Sequence, residues 1–158
     1  MTTHAAPARA QRARVAHALV AVPGAAGLVL VVIGTFLPWL RSGRRLRNSY
    51  ETDGAIRRLL EPEGIAHTAL SVWPAVSLAC AVAIALYVFG LRVLAIVLAL
   101  LIAVTAGAVA IGALSAPSIH SVAVAATGPV TTLCGVALIL AAVSIRFVRF
   151  VRDDRRYR

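Results

Sequence analysis

The sequence contains a charged stretch that begins Pro38-Trp39-Leu40-Arg41-Ser42-Gly43-Arg44-Arg45-Leu46-Arg47-Asn48-Ser49-Tyr50-Glu51 and continues to Gly64. The sequence has 16 basic and 6 acidic residues, and 10 of these 22 lie between positions 38 and 64. One long apolar segment precedes the stretch and three follow it. Because ionised side chains are costly inside a bilayer, the stretch predicts a loop outside the membrane, over residues 38–68.

Composition places the rest of the chain in a membrane. Hydrophobic residues make up 60% of the 158 positions and charged residues only 14%, which lies outside the range of soluble domains. The net charge of +10 would suggest nucleic acid in a soluble protein. Here the arginines flank apolar segments, where they orient helices and contact anionic lipid. We therefore expect membrane lipids, and not nucleic acid, as partners.

The apolar segments predict an all-α protein, an integral membrane bundle of four helices over residues 15–148. Each segment has about the 20 residues that cross a hydrocarbon core of ~30 Å. Gly90 divides the longest apolar run into a helical hairpin. The predicted helices cover about 15–37, 69–89, 93–114 and 129–148, with a disordered basic tail at 1–14 and an Arg-rich tail at 149–158.

The sequence also predicts a short helix in the loop. In the loop, Asp53 is a suitable N-cap for a short amphipathic helix reaching about Leu60.

The first apolar segment has a competing interpretation as a cleaved signal peptide, with small residues around Ala25. Its apolar run continues to Leu37, which favours a retained span.

Arginine counts predict the orientation. The two tails and the Gly90 turn hold ten arginines, and the loop at 38–68 holds six. The positive-inside rule therefore predicts a multi-pass protein of the cytoplasmic membrane, with both termini in the cytoplasm. Six arginines on the outer side are an exception to this rule, which indicates that their charge has a function there.

One function of these arginines is to bind an anionic headgroup. Guanidinium groups bind phosphate or carboxylate through paired hydrogen bonds, and two aromatic residues flank the cluster. The predicted contact set is Trp39, Arg41, Arg44, Arg45, Arg47 and Tyr50. The alternative, which we favour slightly, is that the loop's four carboxylates pair with these arginines and make it a self-neutralising cap.

A second basic cluster follows the last span. Its arginines recur at intervals of three and four, with apolar residues between them. If the helix continues, they form a stripe that contacts anionic lipid in the inner leaflet. The alternative is that the stripe is a docking site for a cytoplasmic partner. The stripe consists of Arg146, Arg149, Arg152 and Arg156.

The predicted spans contain no Asp, Glu, Lys or Arg at membrane depth, which argues against a proton-coupled transporter. Small residues at four-residue spacing indicate close helix packing, within the protein or in a homo-oligomer. Three pairs have this spacing: Ala103 with Gly107, Ala108 with Gly112, and Thr131 with Gly135.

No metal, cofactor or catalytic residues are predicted. The histidines are scattered singly, and Cys80 and Cys134, both in apolar runs, are expected to be free, buried thiols. No nucleophile, base and orienting group can be named. We expect a non-catalytic accessory or binding protein that contacts anionic lipid or a membrane partner through its Arg-rich outer loop. The alternatives are a small transporter or channel subunit, and an enzyme acting on a lipid-linked substrate.

The segment from Gly34 to Gly43, with Asn48-Ser49-Tyr50-Glu51 after it, resembles a group of small actinobacterial four-helix membrane proteins. These carry a Pro-Trp, Ser-Gly and Ser-Tyr-Glu pattern after the first helix, and the match covers about 18 residues. The Arg-only basic residues and the Ala, Val and Leu content agree with a GC-rich actinobacterial source. The resemblance implies topology and source, and it confers no activity.

Overall fold

The computed structural model describes the backbone of residues 5–42, 45–51, 73, 75–115 and 122–154. Four helices of at least 14 residues lie in this described part of the chain, so the prediction of a mostly helical chain is confirmed. In chain order the elements are α1 (Ala5–Phe36), β1 (Pro38–Ser42), β2 (Arg45–Asn48), α2 (Ala75–Val88), α3 (Arg92–Ser115), β3 (Val122–Val124) and α4 (Thr127–Asp154).

Two helices are longer than their predicted spans. α1 begins at Ala5 and not near residue 15, because the basic segment that was expected to be disordered consists largely of Ala, Arg and Gln, which favour helix. α4 continues past residue 148 to Asp154, since neither Pro nor Gly follows to stop it. Between α2 and α3, Gly90 adopts a φ of +84°, the left-handed conformation that glycine accepts without strain.

α1 and α4 pack so closely that their backbones meet. A Cβ built on Gly27 would lie 2.7 Å from the carbonyl oxygen of Gly135, and one on Gly135 would lie 2.6 Å from the carbonyl oxygen of Gly27. Further along, a Cβ on Gly34 would lie 2.9 Å from the amide nitrogen of Thr132. Any side chain at these glycines would overlap the facing helix. Because later residues of α1 meet earlier residues of α4, the two helices are antiparallel.

α3 packs against α4 and against α2, and α2 also contacts α1. Ala103 is buried, and a Cβ on Gly107 would make an ordinary 3.6 Å contact with Val136. This predicted small pair therefore serves packing within the protein, as Gly135 does. Ala108 and Gly112 are exposed, so this pair does not take part in the described core.

The all-α prediction is confirmed only in part, because three short strands form a sheet in the order β2-β1-β3. β1 pairs antiparallel with β2 and also with β3, for example Leu40 with Val124. The β1–β3 pairing joins segments about 80 residues apart, a non-local contact that helical periodicity does not report. The predicted loop helix near 53–60 and the start of the span predicted from residue 69 lie outside the described residues.

Two segments of the described chain are long and apolar enough to cross a membrane, Arg92–Ser115 and Thr127–Arg149, with mean hydropathies of 2.8 and 2.0. Shorter apolar segments are Ala21–Phe36 and Ala75–Val88. Only 39% and 22% of the two long segments' apolar windows are buried within the protein. The two long segments are therefore candidate membrane spans.

Replacement of Gly135 by alanine is expected to lower the free energy of unfolding by about 1 to 3 kcal/mol, because the added methyl group would force α1 and α4 apart. Gly112→Ala is the matched control: no described atom lies within 4 Å of its Cβ position, and alanine favours helix by up to about 1 kcal/mol. Unfolding of the detergent-purified protein, followed by circular dichroism, measures both. Equal effects of the two substitutions would contradict the close helix contact.

Candidate functional site

The C-terminal end of α1 is completed by Trp39, which is buried. Its indole N–H donates a hydrogen bond of 2.7 Å to the carbonyl oxygen of Gly34. In a continuing helix that carbonyl would accept from the amide of residue 38, but Pro38 has no N–H. The indole replaces the missing backbone donor and so satisfies a carbonyl that would be costly to bury alone.

The start of α4 closes over the same indole. A Cβ on Gly128 would overlap the Trp39 ring and would lie 2.9 Å from the carbonyl oxygen of Pro38. Trp73 packs edge-on against Trp39, with ring centroids 5.4 Å apart at an interplanar angle of 74°. The amide of Ala125 donates to the Trp39 carbonyl oxygen at 2.9 Å. Trp39 therefore acts as an internal cap, and its ring has no open face for a headgroup.

Ser49 and Tyr50 cap the next residue of α1. The Ser49 hydroxyl donates to the carbonyl oxygen of Thr35 at 2.5 Å, and the Tyr50 hydroxyl donates to Thr35 Oγ1 at 3.3 Å. Tyr50 also shares a 2.8 Å hydrogen bond with Ser77 on α2, and its ring lies 5.3 Å from that of Phe36. The Ser-Tyr pair thus ties the chain after β2 to both α1 and α2.

The outer arginines that the structure describes do not form one cluster. Arg41 pairs across the sheet with Leu46, and the adjacent cross-strand pair joins Leu40 to Arg47. Adjacent pairs point to opposite faces of a sheet, so Arg41 and Arg47 face opposite ways. Arg41 is exposed and takes part in an interaction, whereas Arg47 is half-buried. Arg45 pairs with Ser42 in the backbone register, and Arg44 lies outside the described residues.

Three of the four arginines in the predicted stripe, Arg146, Arg149 and Arg152, lie on one continuous helix. Arg146 and Arg149 are half-buried and Arg152 is exposed; Arg149 takes part in an interaction. Arg152 occupies the last turn of α4, where a cation is stabilised by the helix dipole. Arg156 lies outside the described residues.

Groups suited to bond-making chemistry are sparse in the described part of the chain. It contains no set of three or more His, Cys, Asp or Glu side chains placed to hold a metal ion. Both cysteines are free, as predicted, but Cys134 is exposed and not buried, because it lies on the side of α4 turned away from α1. The polar side chains described above stabilise helix ends.

Sequence reasoning missed the roles of Gly27, Gly34 and Gly128. The signal that could have found them is their spacing: two glycines seven residues apart in the first span, and Gly128 with Gly135 seven apart in the last. A seven-residue interval returns nearly to the same helix face. Matching intervals on two helices indicate a shared contact.

In comparisons with known proteins, no family model, curated protein or solved structure matches this chain. Its function is therefore argued from its own residues.

Ser49→Ala is expected to lower the free energy of unfolding by about 1 to 3 kcal/mol, because it leaves the buried Thr35 carbonyl oxygen without its side-chain donor. The control is Ser144→Ala, at an exposed position of α4, where a change within about 0.5 kcal/mol is expected. Unfolding in detergent compares the two. A Ser49 variant as stable as its control would show that the cap contributes nothing.

Proposed function

We propose that this chain crosses the cytoplasmic membrane four times, with both termini in the cytoplasm. We further propose that it works without catalysis, as an accessory or binding protein that contacts anionic lipid or a membrane partner through its Arg-rich outer loop. The outer side corresponds to the sheet. The cytoplasmic side corresponds to the opposite end, where Gly90 joins α2 to α3, and this is called the hairpin end.

The observation that carries the membrane proposal is the apolar outer surface of the helices. On α3, Val93, Leu101 and Val104 are 71%, 58% and 66% exposed, and Leu78 on α2 is 67% exposed. Soluble monomers rarely expose a contiguous apolar surface of this kind. A hydrocarbon environment explains it, because contact with lipid tails removes that surface from water.

The distribution of charge supports the same placement. Described charged side chains lie at the sheet end, as Arg41, Arg47 and Glu51, and at the hairpin end, as Arg92 and the stripe from Arg146. Within the described side chains, none lies between. The 24 residues of α3 extend about 36 Å, enough to cross a hydrocarbon core of ~30 Å.

A binding role is supported by how the polar groups at the sheet end are used. Trp39, Ser49 and Tyr50 satisfy backbone and hydroxyl partners within the fold, so they anchor the loop instead of performing chemistry. The sheet in turn presents arginine-bearing strands on a fixed support. Guanidinium groups held in this way suit electrostatic contact with phosphate-bearing lipid.

Reporter fusions test the topology. Alkaline phosphatase is active only outside the cytoplasm. Green fluorescent protein fused to a membrane protein fluoresces only when it stays in the cytoplasm. We therefore expect phosphatase activity from a fusion after Asn48 and fluorescence from a fusion after Arg158. The reciprocal fusions serve as controls and should be inactive. The opposite pattern would overturn the orientation.

The double variant Arg44→Ala and Arg45→Ala tests the lipid contact. It is expected to reduce the anionic lipid that co-purifies with the protein, because each charge-assisted hydrogen bond contributes about 1.5 to 3 kcal/mol. Arg57→Ala with Arg58→Ala removes the same charge elsewhere in the loop and is the control. Mass spectrometry of extracted lipid measures both. Unchanged lipid in the first double variant would contradict the headgroup contact and favour the self-neutralising cap.

A further inference from the structure

A cavity of about 380 Å³ lies among all four helices at the hairpin end. α1 contributes residues such as Ala25 and Leu28, α3 contributes Ala99, and α4 contributes Ile139 and Val143. The volume falls within the ~300–1,000 Å³ of ligand pockets in proteins. The cavity is distinct from the arginine-bearing sheet, which lies at the other end of the helices.

The lining has the chemistry of an amphiphile's site. Among the described residues that form it, only Tyr87 and Arg146 have polar side chains, and only Arg146 carries a formal charge. Both lie at the hairpin end, where α2 ends and the basic stripe of α4 begins. The cavity is thus apolar in its depth and cationic at its end, which suits a hydrocarbon chain with an anionic head.

The depth of the cavity corresponds to one leaflet. From Arg146 to Ile139 the lining follows α4 for seven residues, or about 10 Å. Half of a ~30 Å hydrocarbon core is about 15 Å. The cavity is therefore shorter than one leaflet of such a core and does not form a passage through the protein.

The cavity also opens sideways, where a lipid can enter. Val22 on α1 and Val88 on α2 belong to the lining yet are 65% and 76% exposed. The opening therefore lies between α1 and α2. α1 contacts α4 much more extensively than α2, because glycines draw α1 against α4, and this leaves the gap on its other side.

We propose that this cavity binds one acyl chain of an anionic phospholipid from the cytoplasmic leaflet, with Arg146 beside the lipid headgroup. The inference rests on the proposed function for its membrane setting. Cavity walls without neighbours lose dispersion contacts, so an acyl chain gains contacts by entering. Charge complementarity selects the anionic lipid, since the next arginines of the stripe extend the positive potential toward the headgroup region.

The test uses the full chain reconstituted in phosphatidylcholine vesicles. These contain a small fraction of phosphatidylglycerol with a photoactivatable diazirine in its acyl chain. After illumination, peptide mass spectrometry is expected to place the label on lining segments near residues 21–28 and 95–99. Ala25→Phe, which fills the cavity, should reduce this labelling severalfold. Ala26→Phe is the matched control, because Ala25 and Ala26 are both exposed but only Ala25 belongs to the lining, and its labelling should equal that of the unsubstituted protein.

A second arm tests the charge. Arg146→Gln should reduce the preference for the phosphatidylglycerol probe over a phosphatidylcholine probe by about fivefold, as expected for one arginine near a membrane surface. Arg92→Gln removes an exposed arginine at the same end that does not line the cavity, and it should leave the preference measured by labelling of the lining segments unchanged. Val88→Trp, at the mouth of the cavity, provides a second filling variant if Ala25→Phe does not fold.

The outcomes separate the two proposals. If the protein does not float with the vesicles, the membrane function and this inference both fail. If it floats but labelling is uniform, or Ala25→Phe and Ala26→Phe behave alike, only the acyl-chain site is overturned. The site is also overturned if Arg146→Gln leaves the lipid preference intact. A loss of dimers in Ala25→Phe without a change in lipid labelling would assign the cavity to a second copy of this chain and would likewise overturn the proposal.

Discussion

The backbones of α1 and α4 meet at Gly27 and Gly135, with no side chain between them. The missing Cβ of each glycine would lie within 2.7 Å of the other's carbonyl oxygen, so each Cα–H group faces a carbonyl across the interface. Such contacts contribute about 0.5 to 1 kcal/mol each. Their larger effect is geometric, because close approach of two helix backbones increases the dispersion contacts between the helices.

The contact between α1 and α4 also determines where the sheet forms. Holding α1 against α4 brings the segment after α1 beside the segment before α4, and these become β1 and β3. Pro38 stops the helix and removes a donor, so Gly34 needs another partner. Trp39 supplies it and requires the space that Gly128 provides. Proline, tryptophan and glycine at these positions therefore solve one problem, the ending of a helix inside a packed protein.

The local features of this fold could be predicted from the sequence, and the long-range ones could not. The helical hairpin at Gly90 and the free cysteines follow from neighbouring residues. Trp39 and Tyr50 were predicted to lie at the membrane interface as a headgroup contact, because a single sequence shows that an aromatic residue follows a span but not which carbonyl it reaches. Their partners, Gly34 and Ser77, come from other turns or helices. The β1–β3 pairing was missed for the same reason.

The two ends of the molecule differ because the glycine contact acts on one side of α1 only. At the sheet end, Thr35, Ser49 and Tyr50 bridge α1 to α2, which compensates for the pull toward α4. At the hairpin end, the residues that α1 and α2 contribute to the cavity are largely small or apolar, such as Ala21 and Ala83, and no described polar bridge joins the two helices there. The helices therefore part there. Their separation creates a space with apolar walls next to Arg146, so the same contact that closes one end leaves the other end open.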